Sequence, residues 1–384
     1  MTASALTRPG QRDRLSEKVT EIDWRLVILL AVVGGSGAMM LYSVGGGWSP
    51  WAADHAIRFA IMTVVMLGLA LIDLKWWFRA AYPLYGLFLL LVLMTEFTPL
   101  GYTAGGARNW LNLGFIRLQP AEFIKFGLVL ALARWYHAHS AQDARLSWKL
   151  LIPAAMVGVP FLLVAKQPDL GSAMLIALTG AAIMFLAGLS WRIIAVGAAA
   201  AAAIIPPFVM FVMHDYQRNR VLTFLNPESD PAGTGYNIIQ SKIALGSGGL
   251  LGRGFGLGSQ SQLEFLPERH TDFIFSALSE EFGFVGSFTI LLCYAAIVLI
   301  SLRIASLSYS HFGRLAAAGI ASTFALFILI NGAMVMGLAP VVGVPMPLLS
   351  YGGSSMMTLM IGFGLIMAVR VHRYTELPKG QALF

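Results

Sequence analysis

The sequence predicts an all-α polytopic membrane protein with about ten transmembrane helices. Of its 384 residues, 57% are hydrophobic and only 12% are charged, and the mean hydropathy is +0.73, which excludes an ordinary soluble domain. Its apolar runs are long enough to cross a hydrocarbon core of roughly 30 Å, which takes about 20 residues. Backbone groups in lipid must be paired within their own segment, so these runs are expected to be helices.

Ten apolar runs are predicted as spans, in chain order. They cover residues 25–43, 57–73, 80–99, 120–136, 149–165, 170–188, 191–213, 272–301, 314–338 and 351–370.

The distribution of Lys and Arg predicts that both termini are cytoplasmic. The short loops at 44–56 and 339–350 contain neither residue, whereas basic residues collect in the alternate loops and at both ends of the chain. This asymmetry follows the positive-inside rule. Residues 1–24 are polar and precede a full-length span, so we expect a cytoplasmic tail followed by an uncleaved anchor.

The longest segment between spans, at 214–270, is predicted to lie outside, between helices 7 and 8. It contains seven glycines between Gly246 and Gly258 and keeps apolar residues throughout. We therefore expect a folded, partly re-entrant lid. No clear internal repeat is visible, so residues 1–384 are interpreted as one membrane domain.

Net charge, cysteine content and histidine spacing limit the ligands and covalent links that the sequence predicts. The net charge of +7 is explained by inner loops that meet anionic membrane lipids, and no interleaved basic and aromatic stripe indicates a nucleic-acid partner. The single cysteine, Cys293, can form no internal disulfide. His270 has no second His or Cys at ligand spacing, so no metal site can be assigned.

Three charged residues lie in or beside the predicted spans. Glu122 and Lys125 are three residues apart, so they share one helix face and can pair. Asp169 closes the fifth span, and an unpaired charge at depth costs roughly 2.5–3.5 kcal/mol or more. We predict one network of all three, either as a structural ion cluster or as the lining of a polar cavity.

Asp272 is the strongest candidate for chemistry. It lies at the start of an apolar run, facing outward, beside Arg269 and His270. One interpretation is structural: Thr271 caps the helix and Asp272 is a first-turn carboxylate that favours the helix dipole. The other is a base near water, flanked by groups that bind an anionic substrate.

Several motifs together resemble the SEDS family of bacterial peptidoglycan glycosyltransferases, and its elongation branch in particular. The resemblance covers nearly the whole membrane region. It is carried by GARNW at 106–110, QPAEFIK at 119–125, KQPDLG at 166–171, NIIQSKIALGSGG at 237–249, QLEFLPERHTDF at 262–273, PVVGVP at 340–345 and LSYGG at 349–353.

The resemblance implies a polymerase of lipid II in the bacterial cytoplasmic (inner) membrane, with undecaprenyl pyrophosphate as leaving group and inversion at the sugar. It also implies a class B penicillin-binding transpeptidase of the elongation complex as partner. Asp272 matches the family's proposed catalytic residue, and Glu122, Lys125 and Asp169 match its cavity network. The candidate substrate-binding residues are Arg108, Trp110, Lys166, Arg218, Arg220, Lys242, Arg269 and His270.

The chemistry fits one carboxylate surrounded by cations. A base must take the acceptor proton, and cations can stabilise charge on the departing pyrophosphate. A divalent cation, Mg or Mn, can share that work although no ligand set is readable, and no organic cofactor is expected. Two alternatives remain: a lipid II flippase that uses the cavity around Glu122, Lys125 and Asp169, and a scaffold that only recruits a transpeptidase.

Overall fold

The computed structural model describes most of the chain. The described residues are 15–104, 107–112, 114, 117–139, 148–211, 218, 223–224, 234–263, 265–266 and 268–378. Arg220 and much of the predicted lid between 212 and 233 lie outside them.

Helices occupy all ten of the predicted spans. After a short helix α1 (Leu15–Thr20), they are α2 (Trp24–Gly45), α3 (Ala52–Ala70), α4 (Leu74–Phe97), α5 (Pro120–Ala138), α6 (Leu151–Lys166), α7 (Leu170–Leu186), α8 (Trp191–Phe211), α11 (Ile274–Leu307), α12 (His311–Val335) and α13 (Gly353–Val371). Two further helices, α9 (Thr234–Ser247) and α10 (Ser259–Gln262), lie within the segment 214–270.

The prediction of a helical multi-pass membrane protein is confirmed, and the exact number of spans stays a prediction. In the described part of the chain, seven helices are long and apolar enough to cross a membrane. Helix α5 is not among them, since it carries Glu122, Lys125 and Arg134. Helix α7 is 17 residues long and apolar.

A small sheet departs from the all-α prediction. Strands β1 (Gly101–Ala104), β2 (Ala107–Asn112) and β3 (Arg117–Leu118) form an antiparallel sheet in that order. Tyr102 pairs with Trp110 and Leu111 pairs with Leu118. The alternation of polar and apolar residues here is the period of a strand whose two faces differ.

Helix α5 forms the centre of the bundle. Every residue from Pro120 to His137 is buried, which explains how a helix with three charges is accommodated. Small residues allow its neighbours to approach closely. A Cβ on Gly127 would lie 2.8 Å from the Phe88 ring of α4, and one on Gly319 of α12 would lie 2.9 Å from Val129 of α5.

Helix α11 is broken at Gly283, whereas the sequence predicted a continuous span over 272–301. Gly283 has φ 64° and ψ −162°, and the glycine-rich segment at 248–258 packs into the break. The amides of Phe284 and Val285 donate to the carbonyls of Gly249 and Leu250, at 2.9 and 3.1 Å. The segment therefore supplies hydrogen bonds that the broken helix lacks, and its re-entrance into the membrane stays a prediction.

The two ends of the bundle gather different residues. One end contains the turn after α2, the sheet, the start of α7, the loop before α11 and the loop between α12 and α13. Contacts across this end include Trp51 with His270 and Asn109 with Asp169. At the other end, Arg373 pairs with Glu21. Asp272 and the predicted substrate-binding residues Arg108, Trp110, Lys166 and His270 all belong to the first end.

Candidate active site around Asp272

The loop that carries Asp272 is a tight turn over residues 268–273. Glu268 adopts φ 54°, and its carbonyl accepts from the amides of Thr271 and Phe273, at 3.1 and 3.3 Å. The Thr271 hydroxyl bonds the Glu268 carboxylate at 2.7 Å. Helix α11 begins at Ile274 after the N-cap residue Phe273, with no side-chain cap and no acidic residue in its first turn. The interpretation of Thr271 as a cap and of Asp272 as a dipole-stabilising residue is therefore wrong.

Three successive carbonyls of this loop each accept a hydrogen bond from outside it. The His270 carbonyl accepts from the Tyr351 amide at 2.8 Å, and the Thr271 carbonyl accepts from the Ser350 hydroxyl at 2.6 Å. The Asp272 carbonyl accepts from Asn331 Nδ2 of α12 at 2.8 Å. The main chain at Asp272 is thus fixed by neutral donors from α12 and from the loop before α13.

Gly343 lies opposite the Asp272 carboxylate. Its φ is +70°, and a Cβ built on it would lie 3.7 Å from Asp272 Oδ2. Any side chain at this position would therefore be strained and would stand beside the carboxylate. Asp272 is half-buried, so solvent reaches part of this residue, and the space between its carboxylate and Gly343 is called the recess below.

His270, two residues before Asp272, makes an aromatic contact that holds this loop. Its ring stacks on Trp51 with centroids 4.2 Å apart and an angle of 6° between the planes. Burial lowers the pKa of His270, nearby Glu268 opposes that shift, and Arg269 adds to it. The ring is therefore a neutral packing and hydrogen-bonding group at physiological pH rather than a cation.

The predicted cations are distributed unevenly. Lys166 pairs with Glu96 at 3.2 Å and lies over Phe97, while Arg108 donates to the Thr98 carbonyl at 2.7 Å. Lys242 and Arg218 are exposed, Arg269 is half-buried, and Arg220 lies outside the described residues. Trp110 faces Tyr102 across the sheet, with centroids 6.4 Å apart.

Glu122 and Lys125 form a buried ion pair, as predicted. Lys125 Nζ lies 2.6 Å from Glu122 Oε1, and the two side chains are 2% and 5% exposed. The ammonium also lies 4.3 Å from the centroid of the Phe327 ring. Beside the pair is a cavity of about 30 Å³, lined mainly by apolar groups, which suffices for a single water.

Asp169 belongs to a separate cluster, in contrast to the single network that the sequence predicted. Its carboxylate caps α7 by accepting from the Ser172 amide, and it also accepts from Asn109 Nδ2 at 2.7 Å and Gln119 Nε2 at 3.0 Å. Among the hydrogen bonds and ion pairs of the described residues, none links Asp169 to Glu122 or Lys125. Neutral amides from β2 and from the start of α5 satisfy this carboxylate instead.

Sequence reasoning missed Asn331 and Glu96. Asn331 is a fully buried amide within an apolar run, and a polar residue at that depth is costly enough to mark a functional position. Glu96 lies near the end of a predicted span, and its carboxylate explains where the Lys166 side chain points.

The comparisons with known proteins agree with the motifs. The family model FTSW_RODA_SPOVE, described as "Cell cycle protein", matches residues 22–375. The chain is 43% identical over 348 residues to peptidoglycan glycosyltransferase MrdB of Escherichia coli K12, covering 91% of this chain and 93% of that protein.

Two solved structures have the same fold. A chain of a peptidoglycan synthase complex that coordinates polymerization and crosslinking has a TM-score of 0.79 and 34% identity, covering 92% of this chain and 99% of its own. Rod shape determining protein RodA of Thermus thermophilus has a TM-score of 0.70 and 29% identity, covering 92% and 98%.

Proposed function

The chain belongs to the FtsW, RodA and SpoVE family of cell cycle proteins, and from this premise we propose that it is a peptidoglycan glycosyltransferase of the RodA type that polymerises lipid II during cell elongation. The observation that carries the proposal is the setting of Asp272: a half-buried carboxylate on a main chain held rigidly at three successive carbonyls. Rigid placement of a base is what proton abstraction in a bound complex requires.

In the proposed reaction, Asp272 takes the proton of the acceptor sugar hydroxyl. The hydroxyl oxygen forms the new bond to the anomeric carbon of the donor as the bond to undecaprenyl pyrophosphate breaks, with inversion. Because pyrophosphate leaves as a stable anion, this step needs no second carboxylic acid, unlike glycoside hydrolysis. The proton stays on Asp272 until the product departs.

Cations at the same end are proposed to hold the pyrophosphates. Arg269 is adjacent in sequence to the recess, and Arg108 and Lys166 lie near the sheet. Lys242 belongs to α9, and a Cβ on Gly337 would lie 2.7 Å from its Nζ, which places it beside the loop that carries Gly343. Such cations stabilise negative charge that develops on a leaving group.

The described residues contain no dense cluster of metal-ligating side chains. No group of three or more His, Cys, Asp or Glu side chains could hold a metal ion there. We propose that any Mg²⁺ or Mn²⁺ arrives bound to pyrophosphate oxygens, because Mg²⁺ commonly uses one or two carboxylates together with substrate phosphates.

We propose that the protein works in the bacterial cytoplasmic membrane with a class B penicillin-binding transpeptidase. The similar chain from a synthase complex supports a partner of this kind. The transport alternative has less support, because Glu122 and Lys125 pair with each other and none of the hydrogen bonds and ion pairs of the described residues links them to Asp169.

The test is polymerisation of purified lipid II by the protein with its cognate transpeptidase, with products resolved by gel. Asp272→Asn is expected to lower glycan synthesis by about 10²–10⁴-fold, which is the usual contribution of a general base. Glu376→Gln is the control, since Glu376 is an exposed carboxylate after α13, away from the Asp272 loop. Equal activity of Asp272→Asn and wild type would remove Asp272 from the mechanism.

A further inference from the structure

Asn331 is the one side chain of α12 whose bonds reach both the Asp272 loop and the loop before α13 in the described structure. It is 0% exposed and lies in an apolar helix. Its Nδ2 donates to the Asp272 carbonyl at 2.8 Å and to the Val344 carbonyl at 2.7 Å. Both hydrogens of one amide are therefore used to join two segments that are far apart in sequence.

These two segments are the opposing walls of the recess. Val344 follows Gly343, and Gly343 stands opposite the Asp272 carboxylate. The Asn331 amide thus fixes the position of Asp272 relative to the wall that faces it. The other two anchors, at His270 and Thr271, come from Tyr351 and Ser350 and do not contact Asp272 itself.

Burying the Asn331 side chain has an energetic cost for which apolar packing offers no reason. Asn331 Oδ1 is buried and has no hydrogen-bond partner among the described residues. A buried polar atom without a partner costs roughly 1–3 kcal/mol. An apolar residue of similar size would avoid that cost but would leave two backbone carbonyls without their donor.

We propose that Asn331 is a positioning residue for the glycosyl transfer, acting through the backbone of Asp272. The inference rests on the proposed function and adds to it. Loss of the amide lets Asp272 shift relative to Gly343, and a displacement of about 1 Å can cost 10²-fold in rate. Because Asn331 contacts neither sugar nor pyrophosphate in this scheme, substrate affinity is expected to change little.

The test uses Asn331→Leu, which keeps the size and removes both donors. The expected result is a fall in kcat of about 10²-fold, with KM for lipid II within about twofold of wild type. Asn331→Asp is the second variant. Burial favours its neutral acid, which retains one donor, so its kcat should lie between those of Asn331→Leu and wild type.

Ser241→Ala is the matched control for lost packing and stability. The Ser241 hydroxyl is fully buried, donates to the Val335 carbonyl of α12 at 2.7 Å and lies 2.8 Å from the Ser276 hydroxyl oxygen of α11, so it joins the same two helices without a bond to residues 268–273. Hydrogen exchange at residues 270–273 should rise in Asn331→Leu and stay unchanged in Ser241→Ala.

The outcomes separate this inference from the proposed function. Active wild type with Asn331→Leu and Ser241→Ala equal in kcat would overturn the positioning role. A rise in KM with unchanged kcat in Asn331→Leu would overturn it too, since that would indicate a binding effect. Wild type that makes no glycan with its partner present would overturn the proposed function and this inference with it.

Discussion

Asp272 and Glu122 are both carboxylates of this bundle, and the protein holds them in opposite ways. Glu122 is 4% exposed and pairs with Lys125 at 2.6 Å, inside a helix whose every neighbouring position is buried. Asp272 is half-buried, and the Asn331 amide donates to its main-chain carbonyl. The first arrangement stabilises a buried charge, whereas the second fixes the backbone of a carboxylate residue that solvent can reach. In the proposed function, the buried and paired carboxylate is structural and the half-buried carboxylate on a fixed backbone is the reactive one.

The comparison predicts that substitutions at the two sites separate activity from stability. Asp272→Asn should remove glycan synthesis and leave the melting temperature close to that of wild type. Lys125→Met should destabilise the protein by about 3–5 kcal/mol, because it leaves Glu122 buried without its partner. Thermal unfolding in detergent and the polymerisation assay, run on both variants, would measure the separation.

A double variant sharpens the interpretation of the buried pair. Replacing Glu122 and Lys125 together, by Gln and Met, removes both charges and both desolvation costs. The double variant is therefore expected to be more stable than Lys125→Met alone. If the two variants unfold at the same temperature, the ion pair does not account for the loss.

A pair of neighbouring carboxylates in α11 extends the comparison. Glu280 and Glu281 are 0% and 1% exposed and lie just before the break in α11. Glu280 accepts from the Ser259 hydroxyl at 2.9 Å, and Glu281 accepts from the Ser43 hydroxyl and from the Gly256 amide. These carboxylates bind the glycine-rich segment and the residues that follow it, so here buried acidic side chains position a loop segment instead of pairing within a helix.

Substitutions at glycines test the contact between the glycine-rich segment and α11 without removing a charged side chain. Gly252 has φ +82°, and a Cβ on it would lie 2.1 Å from the Glu281 carbonyl. Gly252→Ala is expected to cost about 1–3 kcal/mol through strain and displacement of the segment. Gly246→Ala is the control, because nothing lies within 4 Å of that position and it belongs to α9. Equal unfolding temperatures for the two variants would contradict the close approach.

The sequence predicted the helices far better than it predicted these sites. Long apolar runs determine spans because every backbone group in lipid must be paired locally. Hydropathy alone does not reveal the break at Gly283. The backbone hydrogen bonds that the helix loses there are replaced by bonds with residues 249–254, which belong to another segment of the chain. The sheet at 101–118 was visible as alternation, but that pattern also suits a surface at the headgroups.

Within the site, sequence alone identified residue types but not their partners. Asp272 and the Glu122–Lys125 pair were predicted from position and spacing. Asp169 was assigned to the wrong cluster, because the amides of Asn109 and Gln119 reach it only through the folding of the sheet. Lys166 was predicted to bind substrate. Its pairing with Glu96 could not be predicted, because it depends on how α4 and α6 pack against each other.

His270 gives a smaller, pH-dependent effect on the Asp272 side of the comparison. Burial lowers the pKa of His270 in the folded state, so below the unfolded value of about 6.5 the unfolded chain binds a proton that the folded chain does not. Stability from this group is present above that pH and is lost as the pH falls. His270→Phe, which can still stack on Trp51, should show a smaller drop in melting temperature between pH 7.5 and 5.5 than wild type.

The smallest expected effect concerns Lys166. Its pair with Glu96 is 61% and 17% exposed, and exposed ion pairs contribute at most about 1 kcal/mol, so Lys166→Ala should barely change the melting temperature. Activity distinguishes the two roles of this cation. If Lys166 binds pyrophosphate, Glu96→Gln should release it from competition and lower KM for lipid II, whereas Lys166→Ala should raise KM. If KM is unchanged in both variants, Lys166 serves the ion pair alone, and the cations that meet the pyrophosphate must be sought nearer to Arg269.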